Sequence, residues 1–391
     1  MNRQHHASSV KHQAPESGRP EFRNHHSAFR IGEGRLAVAG LSLALVLGLL
    51  GILLCVGQAQ AQYPKSKREP SGLFPVKVGG KLGYIDKTGK MVVGNQFAEA
   101  RDFSEGLAAV QETLTWMWGY IDKTGRFVIR PQFGAAGELS DGRAPVRVGE
   151  TDSDKWGYID KSGKVVINPR FDDVHNFSEG LASVRIGDRN TGKWGYADTT
   201  GTLVVEPRFR YANEFHDGLA AIRQTPTWMW GYIDKTGKLD VGLQFSWAND
   251  FWEGLAAARA GDNWGYIDKA GKFVINPRFE EAWGFSEGLA AIQNWKDHRW
   301  GYIDTTGRLV VNPQFDMIRS FSDGLAAVRV GDDSAGTWGY IDETGTFVIK
   351  PQFDDAKSFS EGLASVRVGN EETGKYGYVD KTGKFVWQPS K

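Results

Sequence analysis

The stretch Lys155-Trp156-Gly157-Tyr158-Ile159-Asp160-Lys161-Ser162-Gly163 recurs nine times along the chain with small changes. Its central glycine falls at Gly83, Gly119, Gly157, Gly195, Gly231, Gly265, Gly301, Gly339 and Gly377. The first copy has Leu82 and the last has Tyr376 where the others have tryptophan. Atypical terminal units are common in stacked repeats. We therefore interpret the nine copies as one continuous array.

The spacing within each repeat predicts a hairpin of variable length. In eight repeats, the phenylalanine of a later Pro-x-Phe or its variant lies 14 positions after the Trp-Gly glycine, and the next Gly-Leu-Ala or its variant begins nine positions further on. The remaining distance, from Gly-Leu-Ala to Trp-Gly, is 11, 13 or 15. Every step is even. Because side chains alternate faces along a strand, adding one residue to each arm of a hairpin preserves all facings.

The rest of each repeat predicts a tight turn and a third strand. Asp-Lys-Thr-Gly follows the second arm, and its aspartate and glycine are typical turn residues. A run such as Phe127-Val128-Ile129 then predicts a strand that ends at Pro131, because proline cannot donate to a ladder. We expect an all-β chain of nine three-stranded meanders in an elongated, solenoid-like array. The alternative is a closed β-propeller, although nine blades would exceed the usual four to eight.

With these motifs, the chain resembles the WG-repeat (KWG) proteins of bacteria. Residues 264–279 follow the pattern Trp-Gly-Tyr-Ile-Asp-Lys-Thr-Gly-Lys-Phe-Val-Ile-x-Pro-x-Phe and depart from it only at Ala270. The resemblance implies a β-rich repeat region in exported or envelope proteins, generally without an assigned activity. It supplies no catalytic residues.

The composition argues against several classes of function. Lys+Arg and Asp+Glu number 47 each and form no basic stripe, so no nucleic-acid partner is expected. The single cysteine, Cys55, excludes a disulfide framework. The repeated carboxylates, such as Glu105 and Glu179, form no distinct catalytic pair or calcium loop, and a connector role is the better interpretation. We expect a non-enzymatic protein with no catalytic residue, metal or cofactor.

The N-terminal residues are expected to direct the localisation of the protein rather than to form part of the array. Residues 1–61 read as a disordered leader followed by an apolar helix over residues 36–56. Ala59 and Ala61 form an Ala-x-Ala pattern typical of a cleaved export signal, whereas the length of the apolar run favours an uncleaved anchor. Either way the repeats, residues 71–388 after a linker at 62–70, are expected outside the cytoplasm. Membrane contact is expected only through residues 36–56, if they are uncleaved.

The sequence predicts two kinds of important position. Structural residues of the Trp-Gly core are Trp118, Gly119, Trp156, Gly157, Trp194, Gly195, Trp230, Gly231, Trp264, Gly265, Trp300, Gly301, Trp338 and Gly339. Candidate binding residues near the variable hairpin tips are Trp116, Met117, Trp228 and Met229. An exposed tryptophan there would stack on a sugar or anchor a partner, and otherwise would pack on an adjacent hairpin. The expected function is binding or scaffolding through the tips, with a protein or a cell-envelope glycan as partner. The alternatives are a structural envelope spacer and a carbohydrate-active protein.

Overall fold

A computed structural model describes residues 70–149, 151, 154–331 and 336–390. These residues form eight antiparallel β-sheets and contain no helix. In particular, none of the described residues belongs to a helix long and apolar enough to cross a membrane. The predicted apolar helix at 36–56, the leader and all of the 62–70 linker except Pro70 lie outside the described residues.

The sheets follow one another along the chain, and strands adjacent in sequence are adjacent in each sheet. The first sheet has six strands: β1 (Leu73–Val78), β2 (Lys81–Asp86), β3 (Met91–Ala100), β4 (Ala108–Glu112), β5 (Trp118–Ile121) and β6 (Phe127–Phe133). The next three sheets have four strands each: β7 (Ala135–Ala136), β8 (Arg143–Arg147), β9 (Trp156–Asp160) and β10 (Val165–Phe171); β11 (Asp173–Val174), β12 (Leu181–Ile186), β13 (Lys193–Asp198) and β14 (Leu203–Phe209); β15 (Tyr211–Ala212), β16 (Ala220–Gln224), β17 (Met229–Ile233) and β18 (Leu239–Phe245).

The last four sheets repeat this arrangement. Their strands are β19 (Trp247–Ala248), β20 (Ala256–Ala260), β21 (Asn263–Ile267) and β22 (Phe273–Phe279); β23 (Glu281–Ser286), β24 (Leu289–Gln293), β25 (Trp300–Asp304) and β26 (Leu309–Phe315); β27 (Met317–Ile318), β28 (Ala326–Val330), β29 (Thr337–Ile341) and β30 (Phe347–Phe353); β31 (Asp355–Ala356), β32 (Leu363–Val368), β33 (Lys375–Asp380) and β34 (Phe385–Ser390).

The predicted hairpin is confirmed, but the three-stranded unit is wrong. In the fourth repeat, β12 and β13 pair in register from Leu181 opposite Asp198 to Ile186 opposite Lys193. The link between repeats contributes a short fourth strand, such as β11, which pairs with the first arm of the following hairpin. The sequence missed this strand because it is only two residues long and has no alternating pattern of its own.

The third strand also continues past its proline, contrary to the sequence prediction. In β6, Ile129 lies opposite Tyr120 and Phe133 lies opposite Trp118, so four residues along β6 face two along β5. This bulge contains Pro131. Proline is tolerated at a bulge because the ladder is already interrupted there.

The bulge explains the glycine of the Trp-Gly motif. A Cβ atom added at Gly265 would lie 2.5 Å from the carbonyl oxygen of Ile275 and 2.7 Å from the backbone nitrogen of Pro277. The same approach recurs at Gly119, where the atoms belong to Ile129 and Pro131. These glycines therefore allow close approach of backbone to backbone, and the approaching backbone is the bulged third strand of the same sheet.

The hydrophobic core lies between successive repeats. In most repeats the tyrosine of Trp-Gly-Tyr packs edge-on or tilted against a phenylalanine of the next repeat, as Tyr232 does on Phe251 with ring centroids 4.8 Å apart; Tyr120 has Leu139 in its cluster instead. The Tyr232 hydroxyl donates to the carbonyl of Asn249, 2.7 Å away. Fully buried alanines such as Ala256 and Ala258 complete that layer. Each repeat therefore buries its aromatic face only against its neighbour.

Among the described residues, a carboxylate connects the repeats at eight of their nine interfaces as well. The residue before the glycine of Gly-Leu-Ala has a positive φ of 50–56° and directs its carboxylate to the next repeat; these residues are Glu105, Asp141, Glu179, Asp217, Glu253, Glu287, Asp323 and Glu361. The corresponding backbone N–H groups belong to Gly142, Gly180, Gly218, Gly254, Gly288, Gly324, Gly362 and Gly72. Connecting adjacent repeats is thus the role of these acids in the structure.

The last of these ties closes the ring, so the predicted solenoid is wrong. Glu361 of the ninth repeat accepts hydrogen bonds of 2.6 Å from the N–H groups of Ser71 and Gly72 in the first. Tyr378 donates to the Pro75 carbonyl at 2.9 Å. Phe74 and Leu363 belong to one shared core cluster. The architecture is a closed-ring β-propeller of eight sheets, the first of which contains two repeats.

The Asp-Lys-Thr-Gly segment forms the predicted turn, and one natural exception provides a test. In the second repeat, Asp122 accepts hydrogen bonds from the N–H and hydroxyl of Thr124, at 2.8 and 2.6 Å. The hydroxyl hydrogen bond is the main cause that lowers the pKa of Asp122. The sixth repeat has Ala270 at this position, so Asp268 accepts only backbone N–H groups.

Replacing Ala270 with threonine is expected to stabilise the protein by about 1 kcal/mol, because it adds a hydrogen bond to a charged acceptor. The replacement Ala270→Val has the same shape without the hydroxyl and should give no such gain. Chemical denaturation of both variants and the parent provides the measurement. Equal stability of the threonine and valine variants would contradict the assigned role of the hydroxyl.

Candidate functional site

Three hairpin tips hold one residue in the same left-handed conformation. They belong to the repeats in which 13 residues separate the Gly-Leu-Ala and Trp-Gly glycines. Trp116, Trp228 and His298 occupy the same position in these tips, with φ values of 57°, 58° and 56°. A side chain of the first arm donates to the carbonyl of this residue, as Gln111 does to Trp116 at 2.7 Å. The turn therefore positions one side chain at each tip.

The two predicted tip tryptophans have different surroundings. Trp116 is 64% exposed, and no aromatic or arginine partner of its ring occurs among the described residues. Trp228 is 47% exposed and lies against Arg223 of its own hairpin, with the guanidinium carbon 5.2 Å from the ring centroid. Met117 and Met229 are partly buried beside them. The predicted binding residues therefore remain at two separate tips, and the structure does not bring the pairs together.

Of the two tips with a predicted binding tryptophan, that of Trp228 belongs to a larger surface, which we call the tip cluster and which consists of Tyr211, Arg223, Trp228, Trp230 and Trp247. The guanidinium of Arg223 lies 5.9 Å from the ring centroids of both Tyr211 and Trp230. The Trp230 ring is 6.2 Å from Tyr211 and 5.5 Å from Trp247. Arg223 Nε also donates to the Trp228 carbonyl at 2.8 Å, which fixes the arginine among the rings.

The exposed fractions of the side chains show which residue of the tip cluster is buried beneath it and which residues form its surface. Trp230 is 5% exposed, whereas Tyr211, Trp228 and Trp247 are 40%, 47% and 44% exposed. Three large rings are therefore partly exposed: Tyr211 and Trp228 beside Arg223, and Trp247 beside Trp230. The sequence prediction included Trp228 and Trp230 but missed Tyr211 and Trp247. Both follow the Pro-x-Phe type segment by two residues, at the start of the short strand that the sequence did not predict.

The Trp-Gly tryptophans themselves are mainly structural. Trp194, Trp230, Trp264 and Trp338 are buried, while Trp118, Trp156 and Trp300 are partly buried. Several carry a flat group over the ring: His175 stacks on Trp194 with centroids 4.7 Å apart. These contacts occur within a blade and contribute to its packing.

One carboxyl group is buried between two successive repeats. Asp250 is 9% exposed and accepts a hydrogen bond of 2.9 Å from the Asn213 side-chain amide. Burial raises the pKa of Asp250, and the charge of nearby His216 and the Asn213 hydrogen bond only partly oppose that rise. Because the native pKa is raised above the unfolded one, ionisation of Asp250 destabilises the native state. The stability that this group contributes is therefore present below the unfolded pKa and is lost as the pH rises through the native pKa.

Asp250→Asn should therefore stabilise the protein at neutral pH, and the gain should shrink as the pH falls toward about 4, the ordinary range of an aspartate. Asparagine retains an oxygen that can accept from Asn213. Thermal denaturation of the variant and the parent between pH 4 and 8 measures the difference. A gain that grows on acidification would contradict the assigned burial cost.

The described residues hold no cluster of three or more His, Cys, Asp or Glu side chains able to bind a metal ion. Their two best-formed cavities are shallow surface features rather than an enclosed active site. The larger, of about 510 Å³, lies between the third strand of one repeat and the turn of the next and includes Arg170 and Glu206. The exposed tip cluster is the feature best suited to recognition.

The fold and its internal motif define a propeller of tandem Trp-Gly repeats. The family model described as the WG containing repeat matches residues 83–113, 118–151, 156–189, 194–225, 230–264, 264–294, 300–332 and 338–371. The chain belongs to this WG-repeat family, as its resemblance indicated. Binding and scaffolding are the coarse functions that such a propeller suggests. Sequence comparison with curated proteins gives no significant match.

Comparison with solved structures gives remote similarities. Hsv2 of Kluyveromyces lactis is 10% identical with a TM-score of 0.37, covering 73% of this chain and 98% of that one. The tricorn protease is 14% identical with a TM-score of 0.25, covering 81% and 39%. Prolyl oligopeptidase B from Galerina marginata is 11% identical with a TM-score of 0.41, covering 66% and 50%. The chain thus spans half or less of the two peptidases. Its ring closure follows from its own contacts.

Proposed function

We propose that this protein is a non-enzymatic binding module that anchors a partner protein on the tip cluster. The observation that carries the proposal is a set of three half-exposed rings: Tyr211 and Trp228 lie against Arg223, and Trp247 lies against Trp230. Tryptophan, tyrosine and arginine are the residues most enriched at the energetic centres of protein interfaces. A buried Trp230 supports the set from below, so little conformational entropy would be lost on binding.

A matched pair of variants tests this proposal. Proteins captured by the full chain are compared, by quantitative mass spectrometry, with those captured by Trp228→Ala and by Trp116→Ala. Trp116 is the control because it occupies the same turn position and is exposed, but stands outside the cluster. Loss of a central aromatic side chain should lower the affinity for a specific partner about 30-fold, since such residues contribute about 2 kcal/mol or more to binding.

The outcomes distinguish the candidate functions. A partner retained by Trp116→Ala and lost by Trp228→Ala supports the proposal. Equal capture by both variants contradicts it and favours a structural spacer. Binding of the parent, but not of Trp228→Ala, to a glycan array in the absence of any protein partner would instead favour the carbohydrate-binding alternative.

We also propose that residues 36–56 direct the repeats out of the cytoplasm, on the basis of the apolar run and the following Ala59 and Ala61. N-terminal sequencing of the fractionated protein tests this. A mature chain that begins at Gln62 indicates cleavage, and a membrane-bound chain that retains the run indicates an anchor. An intact chain in the cytoplasmic fraction would contradict export.

A further inference from the structure

The inter-repeat ties have a common binding unit, which we call the carboxylate cradle. It consists of the N–H group of the glycine that opens a repeat and the residue after aspartate in the turn of the same repeat. Where that residue is lysine and the preceding repeat supplies glutamate, an ion pair forms. The pairs are Lys161 with Glu105 at 3.1 Å, Lys235 with Glu179 at 3.0 Å, and Lys87 with Glu361 at 3.8 Å.

One cradle receives no carboxylate from the preceding repeat. At the junction of the first and second repeats, the cradle is Gly106 and Lys123, and Ser71 stands where the other repeats have an acid. The Ser71 hydroxyl bonds within its own turn, to the N–H and carbonyl of Leu73 at 3.2 and 3.1 Å. Within the described parts of the chain, neither the Gly106 N–H nor the Lys123 ammonium has a partner.

The groups of this junction lie together at one cavity. Ser71, Gly106 and Lys123 line one cavity of about 160 Å³, together with Pro70, Phe103 and Glu105. This space suits a carboxylate with a short stem and is too small for a sugar ring with its substituents. Both polar groups are exposed enough to meet a ligand from solvent.

Glu105 does not prevent an anion from binding there. Its carboxylate is engaged by the Gly142 N–H at 3.1 Å and by Lys161. Moreover, in seven of the eight filled cradles the glycine follows an acid of just this kind, as Gly218 follows Asp217. A cradle can therefore bind a carboxylate even when the residue before its glycine is itself acidic.

We propose that the cradle of Gly106 and Lys123 binds the carboxylate of an external ligand. The ligand is a monocarboxylate: either an acidic side chain of another protein or a small free acid. The N–H group and the ammonium would make charge-assisted hydrogen bonds to it, as their counterparts do to Glu105 and Glu179. This site is separate from the tip cluster and does not depend on the function proposed for it.

Amide NMR of the full chain titrated with acetate tests the site. The Gly106 amide resonance should shift saturably, whereas the Gly142 amide, already bound by Glu105, should not. Ser71→Glu supplies the missing carboxylate from within and should abolish the Gly106 response. Lys123→Gln should weaken acetate binding about fivefold, as expected for loss of an exposed ion pair. Blocked glutamate, with blocked glutamine as its control, distinguishes a side-chain carboxylate from a free acid.

Two outcomes would overturn the proposal. One is an unresponsive Gly106 amide, or equal responses at Gly106 and Gly142. The other concerns Glu69, which precedes Ser71 by two residues in the sequence. A Gly106 amide that responds only in the Glu69→Gln variant would show that the chain fills this cradle itself and has no external ligand there.

Discussion

Replacing Gly231 with alanine is expected to lower the free energy of unfolding by about 3 kcal/mol or more, as measured by chemical denaturation. A Cβ atom at this position would lie 2.6 Å from the carbonyl oxygen of Val241 and 2.9 Å from that of Gly242. These are backbone atoms of the bulged third strand, which cannot rotate away as a side chain can. Relief would require the strand to move, and overpacking of this kind is strongly destabilising.

Gly242→Ala is the matched control in the same blade. Gly242 lies on the approaching strand, is exposed, and has nothing within 4 Å of an added Cβ atom. Alanine there should be neutral or slightly stabilising, because glycine in a strand costs about 0.5–1 kcal/mol relative to alanine. Similar losses in the two variants would mean that the close approach does not explain the repeated glycine.

Replacing Glu361 with alanine is expected to destabilise the protein by about 2–3 kcal/mol, because two backbone N–H groups lose a charged acceptor that is only 17% exposed. The effect should equal or exceed that of Glu179→Ala, which breaks the same kind of tie inside the array. Denaturation of the two variants side by side makes the comparison. If the array were open at Glu361, Glu179→Ala would lower the free energy of unfolding and Glu361→Ala would leave it unchanged.

The local structure of the repeat could be predicted from sequence because its signals are local. Even-numbered variation in arm length reflects strand alternation, and the aspartate and glycine of the turn have a strong conformational preference. The course of the third strand was mispredicted, since the rule against proline in a ladder does not apply at a bulge such as that of Pro131. The short strand β7 contributes too few residues to show any period.

Ring closure could not be predicted from the repeat pattern. A solenoid and a ring differ only in a small rotation per repeat, and that rotation leaves the motif unchanged. The decisive contacts join Glu361 to Ser71 and Gly72, nearly the whole repeat region apart in sequence. Once the tie between Glu105 and Gly142 is known, its counterpart at the chain ends is recognisable.

Only part of the candidate site could be predicted from the sequence, for a related reason. Trp228 was conspicuous because it departs from the repeat at a variable tip. Tyr211 reaches Trp230 from the short first strand of the same sheet, and Trp247 reaches it from the next sheet, so neither contact can be read from the motif alone. Trp116 has the same local sequence as Trp228 but lacks such neighbours, which a single repeat cannot reveal.

Zero-length carbodiimide cross-linking of the unmodified protein tests the closed ring most directly. The reagent joins a lysine amine to a carboxylate in contact with it, and the three equivalent cradles provide both the test and its controls. Lys161–Glu105 and Lys235–Glu179 should be linked in either architecture. The ring predicts that peptide mapping of the monomer band also finds Lys87 linked to Glu361. Recovery of the two internal links without the Lys87–Glu361 link would contradict closure.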